Sequence, residues 1–290
     1  GKGSFAFEVV RRPNPGQLVA AVRWSEVFWQ NNISLRTIWP LLFIRRPLFV
    51  TQQTWIASPD GRSHWSHALK RVVLRCARSF AISRAVAETM PSPSAVIGNP
   101  YDEALFKIVP GTARNSDLIF VGRLVSDKGA DLFLDALVHL RNSGLRPSAT
   151  IVGDGPERAP LEKQTDREQL SVTFTGARSS QEIARLLNRH RILVVPSRWA
   201  EPFGIVALEG AACGCVVIGS GAGGLPEAIG PCGLTFARGD AAALADRIAL
   251  LLGDDRKCDE LRAASGPHLA QFTTVKVADV YLAKMAEARR

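Results

Sequence analysis

Short apolar runs recur along the chain, each stopped by glycine, proline or serine and followed by a stretch with helical spacing. The pattern is most regular in the second half. There Asp117–Gly122, Ala149–Gly153, Val172–Thr175, Ile192–Val195, Cys215–Gly219 and Gly233–Phe236 read as strands. Helical patterns over Gly129–Leu140, after Pro156, and over Ser180–Asn188, Gly204–Ala212 and Asp240–Leu252 lie among them. Continuous apolar strands alternating with helices predict a doubly wound parallel α/β sheet. Two more helices, 255–265 and 274–288, close the chain. The first half is less even. Gly1–Val10 reads as a strand, Gln17–Arg23 as a helix and Trp24–Gln30 as a strand. Leu35–Ile44 reads as a helix disturbed at Pro40, Leu48–Thr51 as a strand and His64–Ser79 as a long helix. Strands at Phe80–Ser83 and Ala95–Ile97 flank a short helix, Arg84–Thr89. Pro110, Gly111 and Asn115 cluster at a break. A boundary at about 107–115 divides the chain into an N-terminal domain, 1–110, and a C-terminal domain, 111–290.

The 290 residues, 46% of them hydrophobic, suffice for two ordinary cores. The five cysteines are odd in number and scattered, which suits a reducing, cytoplasmic setting better than a disulfide framework, and Cys213 and Cys215 read as buried thiols. Cys213-Gly-Cys215 has no second pair at metal-ligand spacing, so no metal site is expected. The net charge of +9 is uneven. Residues 1–110 carry 14 Lys/Arg against 6 Asp/Glu, whereas the rest carries 22 against 21. Such a one-sided field points to an acidic partner. Lys70, Arg71, Arg75 and Arg78 share a face of the helix read over 64–79, which is either solvated or docks on anionic lipid headgroups. No nucleic-acid recognition motif accompanies the charge, so no nucleic acid is expected.

The segment Glu201-Pro-Phe-Gly-Ile-Val-Ala-Leu-Glu209 stands between a buried strand and a helix. Free N–H groups of Gly204, Ile205 and Val206 at that helix start would favour an anion at the carboxyl edge of the sheet. Glu209, about one and a half turns into the helix, can accept two hydroxyl hydrogen bonds from a diol.

This segment resembles the E-x7-E signature of retaining glycosyltransferases, in the Glu201-Pro-Phe-Gly204 form common in glycosyltransferase family 4. Val195-Pro-Ser197 and Ala211–Ile218 resemble the family's flanking segments. Gly122-Arg-Leu-Val-Ser-Asp-Lys-Gly129 resembles its "GRLxxxKG" motif, Gly153 lies in a similar Gly-Asp-Gly turn, and Gly219–Glu227 is similar to its Gly-rich sugar loop. The resemblance is strong over 97–290. It implies the GT-B fold, two Rossmann-like domains facing a cleft, the N-terminal one incomplete because the family's opening strand and Gly-rich loop have no counterpart here.

It also implies roles. Glu201 would be the catalytic carboxylate beside the donor sugar. Arg123 and Lys128 would clamp the diphosphate, and Gly153 would allow close approach of the base. Phe203, Gly204 and Ile205 would offer backbone donors, and Glu209 would hold the ribose. Transfer would run from a nucleoside diphosphate sugar to an acceptor hydroxyl with retention, with no cofactor and no metal. The partners implied are the nucleotide-sugar and a glycan or lipid-linked acceptor; the basic first half adds to these a peripheral contact with the inner face of an anionic membrane. Where family members carry a His after Leu48–Thr51, this chain has Gln52, a residue for the sugar or acceptor side that cannot carry a proton charge. That departure keeps open a non-catalytic nucleotide-sugar-binding relative. A nucleotide-sugar epimerase shares the fold but not the Glu-Pro-Phe-Gly form.

Overall fold

In the computed structural model the described residues are 9–56 and 65–287. The strand expected over 1–10 lies mostly outside them, as do the end of the loop after Gln52 and the helix start at His64. The chain divides into two compact units. The first holds the described residues up to Ala81, then Val86–Val96 and the chain from Lys284. The second holds Ile82–Ala85 and Ile97–Ala283.

The first unit carries a four-stranded parallel sheet in the order β1 (Phe28–Asn31), β2 (Leu48–Gln52), β3 (Arg78–Ala81), β4 (Ala95–Val96). Phe28 pairs with Leu48 and Phe49 with Arg78, so the first three strands start level with one another. Val50, Leu74, Ile33 and Ile56 form its core, and Phe49 stacks on Phe80 at 5.9 Å. The helix Pro15–Trp24 begins at a reciprocal cap. The Asn14 side chain accepts from Gln17 N at 2.9 Å while Gln17 Oε1 accepts from Asn14 N at 3.0 Å. Trp24 therefore ends a helix and does not open a strand. Between Leu35 and Ile44 only the 3-10 turn Trp39–Leu42 forms, because Pro40 denies a longer helix its hydrogen bond. The basic helix spans Trp65–Cys76, and Arg78 starts β3 instead of sharing a face with Lys70, Arg71 and Arg75. Cys76 is exposed, whereas Cys213, Cys215, Cys232 and Cys258 are buried.

In the second unit β5 (Ser116–Val121), β6 (Ala149–Val152), β7 (Val172–Gly176), β8 (His190–Val195), β9 (Val216–Ser220) and β10 (Gly233–Phe236) build one parallel sheet. Its order is β10-β9-β8-β5-β6-β7. The chain runs outward from β5 to β7, then returns to β5's other side with β8. The order thus reverses between β5 and β8, the place where doubly wound sheets bind ligands. Leu118, Phe120, Ile151, Ile192 and Val194 pack with Phe133, Leu137, Leu140 and Ile248 as the core. Arg114 lies under the opposite edge, donating to the carbonyls of Leu187, His190 and Cys213, and so satisfies buried chain ends. Among the described residues no helix is long and apolar enough to cross a membrane.

Candidate functional site

Three loops meet at the carboxyl edge of the second sheet. The loop after β5 turns through the 3-10 segment Ser126–Lys128 into the helix Ala130–Asn142. Gly129 makes that turn at φ 71°, and a Cβ there would overlap the Pro196 carbonyl oxygen. The Asp127 carbonyl accepts from Arg198 N at 2.9 Å and Trp199 N at 3.1 Å, which ties this loop to the one after β8. Glu201 in turn bridges to Gly223 in the loop after β9, with Gly224 N donating to the Glu201 carbonyl at 2.7 Å. Backbone contacts thus join each of the three loops to the next.

Lys128 and Glu201 converge on this frame. Lys128 Nζ lies 2.6 Å from Glu201 Oε1, and the buried Ser197 hydroxyl donates to the same oxygen at 2.7 Å. Oε1 is thereby saturated, and Oε2 is left for a ligand. An ammonium has three protons, so Lys128 keeps two after this contact. Arg123, exposed at the start of the same loop, has no hydrogen-bond or ion-pair partner among the described residues. Arg198, by contrast, is committed to Asp131 at 2.7 Å.

Gly204 caps the helix Ile205–Ala212 at φ 102°, with no side chain satisfying the first N–H groups. These face the same edge and give it a positive end. The Phe203 ring is core, packed on Phe272 at 5.6 Å, so this residue can serve a ligand only through its backbone. Glu209 is largely buried and accepts no hydrogen bond among the described residues. Desolvation, and secondarily the Asp102 charge, pushes its carboxyl up to about 7. It is a carboxylate held without partners, the condition expected of a group kept for a ligand.

Gly153 sits at φ 140° where a Cβ would overlap the Gly122 carbonyl oxygen, and its N–H donates to the Gly176 carbonyl at 3.0 Å. It joins the ends of β5, β6 and β7, so its smallness serves the edge itself. In the Gly-rich segment Gly219–Glu227, a short helix Leu225–Ile229 begins, and Glu227 accepts from Arg84 N at 2.7 Å. Gln52 belongs to the first unit. It is buried, its amide nitrogen donates to the Thr54 carbonyl at 2.9 Å, and its Oε1 lacks a partner. His190 is buried at the start of β8. Its Nδ1–H donates to the Leu186 carbonyl at 2.7 Å, since a carbonyl only accepts, and burial lowers its pKa. Among the described residues no three His, Cys, Asp or Glu side chains are placed to hold a metal ion.

Sequence reasoning missed two members of this arrangement. Ser197 was visible only as the end of a strand motif, and Asp102 only as part of the connection between the halves. Their spacing to Glu201 and Glu209 carries no signal of contact.

A parallel sheet with a cation, two glutamates and an open helix start at its switch point defines a doubly wound α/β protein. The chain belongs to the glycosyl transferases group 1 family, whose sequence profile matches residues 103–266, more than half of it. It is 33% identical over 199 residues to a glycogen synthase of Mycobacterium tuberculosis, an overlap of 65% of this chain and 48% of that protein. It is 32% identical to a D-inositol 3-phosphate glycosyltransferase of Mycolicibacterium smegmatis, over 67% of this chain and 42% of the relative. It thus spans about half the length of the curated relatives it matches. Its fold is that of solved GT-B glycosyltransferases. HepE of Anabaena in complex with UDP superposes with a TM-score of 0.79 at 24% identity, covering 94% of this chain and 82% of that one. Sucrose-phosphate synthase of Thermosynechococcus elongatus gives 0.75 at 22% identity, covering 95% and 77%.

Proposed function

We propose that this chain carries the donor site of a family 4 glycosyltransferase that moves a sugar from a nucleoside diphosphate sugar to an acceptor hydroxyl with retention. The observation that carries the reading is the Lys128–Glu201–Ser197 cluster beside the open helix start at Ile205. Breaking the sugar–phosphate bond builds negative charge on the leaving diphosphate. Arg123, the two free protons of Lys128 and the N–H groups of Gly204 and Ile205 stabilise that charge from fixed positions. Glu201, oriented by Ser197, uses Oε2 against the donor sugar and its charge against the oxocarbenium-like centre. Glu209 receives the two ribose hydroxyls. The acceptor hydroxyl attacks on the face the diphosphate leaves and gives its proton to the departing phosphate, so no protein base is required. The acceptor is a glycan or lipid-linked hydroxyl, met in the cytoplasm at the inner face of the membrane. The fold shared with a UDP-bound protein supports a nucleotide donor.

A non-catalytic nucleotide-sugar binder is the second reading. It is favoured by Gln52, whose amide is turned inward to Thr54. Turnover of a nucleotide-sugar separates the two.

Thermal stabilisation by UDP, GDP, ADP and dTDP tests the donor site. One of them should raise the unfolding midpoint of the parent chain. The Arg123→Ala/Lys128→Ala double variant should bind it about a hundredfold or more weakly, at roughly 1.5–3 kcal/mol per lost charged hydrogen bond. No stabilisation by any of them, or equal binding by the variant, would refute the assignment.

A further inference from the structure

The helix Ser180–Arg189 leaves the donor edge after β7 and ends where β8 begins, so Arg189 stands at the opposite edge of the sheet from Lys128 and Glu201. One face of this helix and the segment 109–112, which leads toward β5, enclose a recess of about 360 Å³ in the second unit. Asn188 builds its wall. The buried Asn188 side chain accepts from Val109 N at 2.8 Å and donates to the carbonyls of Lys107 and Ala184, both at 3.0 Å. These bonds fasten the segment to the helix. Gly111 then turns the chain at φ 77°, and Thr112 N donates to the Val109 carbonyl at 3.3 Å. The recess is thus held open by the fold itself.

Its charge is unbalanced. Arg185 and Arg189 both line it, one turn and about 6 Å apart along the helix axis. Neither has a hydrogen-bond or ion-pair partner among the described residues. Glu182, the only acid in the segments 105–115 and 172–190, is already engaged. Its Oε1 accepts from Arg178 at 3.4 Å, and its Oε2 accepts from Ser179 N at 2.9 Å and the Ser179 hydroxyl at 2.7 Å. Val109 and Leu186 supply apolar walls. The Thr175 hydroxyl donates to the Gly176 carbonyl at 3.2 Å, which leaves its oxygen able to accept from a ligand.

We propose that this recess binds a small phosphorylated molecule, at a site separate from the proposed donor site. A guanidinium presents a planar fork that fits two phosphate oxygens, and two such forks one turn apart match a single dianion. No carboxylate competes for them, because Glu182 is held by Arg178 and Ser179. Val109 and Leu186 cover the carbon skeleton that carries the phosphate, and Thr175 accepts from a hydroxyl on it. The volume is that of a small-molecule site. A nucleic acid would call for a stripe of cations along the surface, whereas Arg185 and Arg189 serve one recess. A second copy of this chain docked by the same face would set these arginines against one another.

Titration calorimetry of the full chain with glycerol 2-phosphate, and with glycerol as the uncharged control, tests this. Glycerol 2-phosphate should bind and glycerol should not. Arg185→Ser/Arg189→Ser should weaken binding more than about tenfold, the loss expected from removing charged hydrogen bonds. Arg185→Lys/Arg189→Lys keeps the charge without the fork and should fall between the serine pair and the parent. Arg123→Ala/Lys128→Ala should bind glycerol 2-phosphate as the parent does. Because Arg185 and Arg189 are exposed and unpartnered, the serine and lysine pairs should keep the parent's unfolding midpoint. Four results would overturn the proposal. One is no binding of glycerol 2-phosphate by the parent. Another is parental binding by the serine pair. The third is binding lost in Arg123→Ala/Lys128→Ala and kept in the serine pair, which would place the phosphate at the donor edge. The last is equal binding of glycerol, which would make the recess indifferent to phosphate.

Discussion

Glu209→Gln should stabilise the chain, and only above the pH at which an unperturbed glutamate ionises. Its carboxyl is raised from 4.5 to about 7, first by desolvation and then by Asp102. Between these two values the folded chain keeps a proton that the unfolded chain has released. Stability therefore falls as pH rises through this window; below it Glu209 costs nothing, and above it the penalty is complete and no longer changes with pH. Two and a half pKa units at 1.36 kcal/mol each give about 3 kcal/mol as the upper size of the penalty at pH 8. Glutamine has the same shape and no charge, so the variant escapes it. At roughly 2–4 °C per kcal/mol for a unit of this size, its unfolding midpoint at pH 8 should exceed the parent's by up to about 10 °C. Near pH 4.5 the two should coincide. Asp102→Asn, which removes the smaller contribution, should fall between them at pH 8. Thermal unfolding of the three chains from pH 4.5 to 8.5 is the assay. A midpoint difference that stays constant across this range would refute the electrostatic account, because packing changes do not titrate. A stabilised variant that has also lost nucleotide binding would mean that the site holds its carboxylate against the stability of the fold.

Two further substitutions probe the frame. Ser197→Ala removes one of the two donors to Glu201 Oε1 and should lower kcat about tenfold while changing nucleotide affinity little, since a hydrogen bond to a charged group is worth about 1.5–3 kcal/mol. Ser197→Thr keeps the hydroxyl and should restore turnover; equal losses in both variants would assign Ser197 to packing. Gly129→Ala combines a left-handed backbone with overlap on the Pro196 carbonyl, and should cost about 1–3 kcal/mol or more in a denaturant titration. Parental stability would show that the loops after β5 and β8 are not joined as described.

What the sequence disclosed follows from how each element is buried. Strands β5, β6, β8 and β9 lie inside a parallel sheet, so they are continuous apolar runs with glycine or proline after them, and they were legible. In the first unit the helix Trp65–Cys76 and β3 abut with only Ala77 between them, without glycine or proline to mark the change. The apolar residues Val72, Val73 and Leu74 fit either period, so the pattern alone extends the helix past its true end to Arg78. Trp24 reads as strand from the β-forming character of its ring, although the Asn14–Gln17 capping box ten residues upstream is itself a readable helix start.

The site divides along the same line. Glu201, Glu209, Arg123 and Lys128 are residue types at loop ends, and position within a strand–loop–helix pattern singles them out. The pairing of Lys128 with Glu201, 73 residues apart, depends on β5 and β8 being neighbours, and strand order is a property of the whole sheet. Its only local trace is glycine. Gly129 permits the approach of the loop after β8, Gly223 that of the loop after β9, and Gly153 that of β6 to β5. A side chain at any of the three would part the loops that carry Lys128, Glu201 and the helix start at Gly204. The functional side chains are therefore fixed less by their own contacts than by backbone approaches that three residues without side chains allow. Loss of the proposed donor site is to be expected from substitution of these glycines as surely as from that of the charged residues they position.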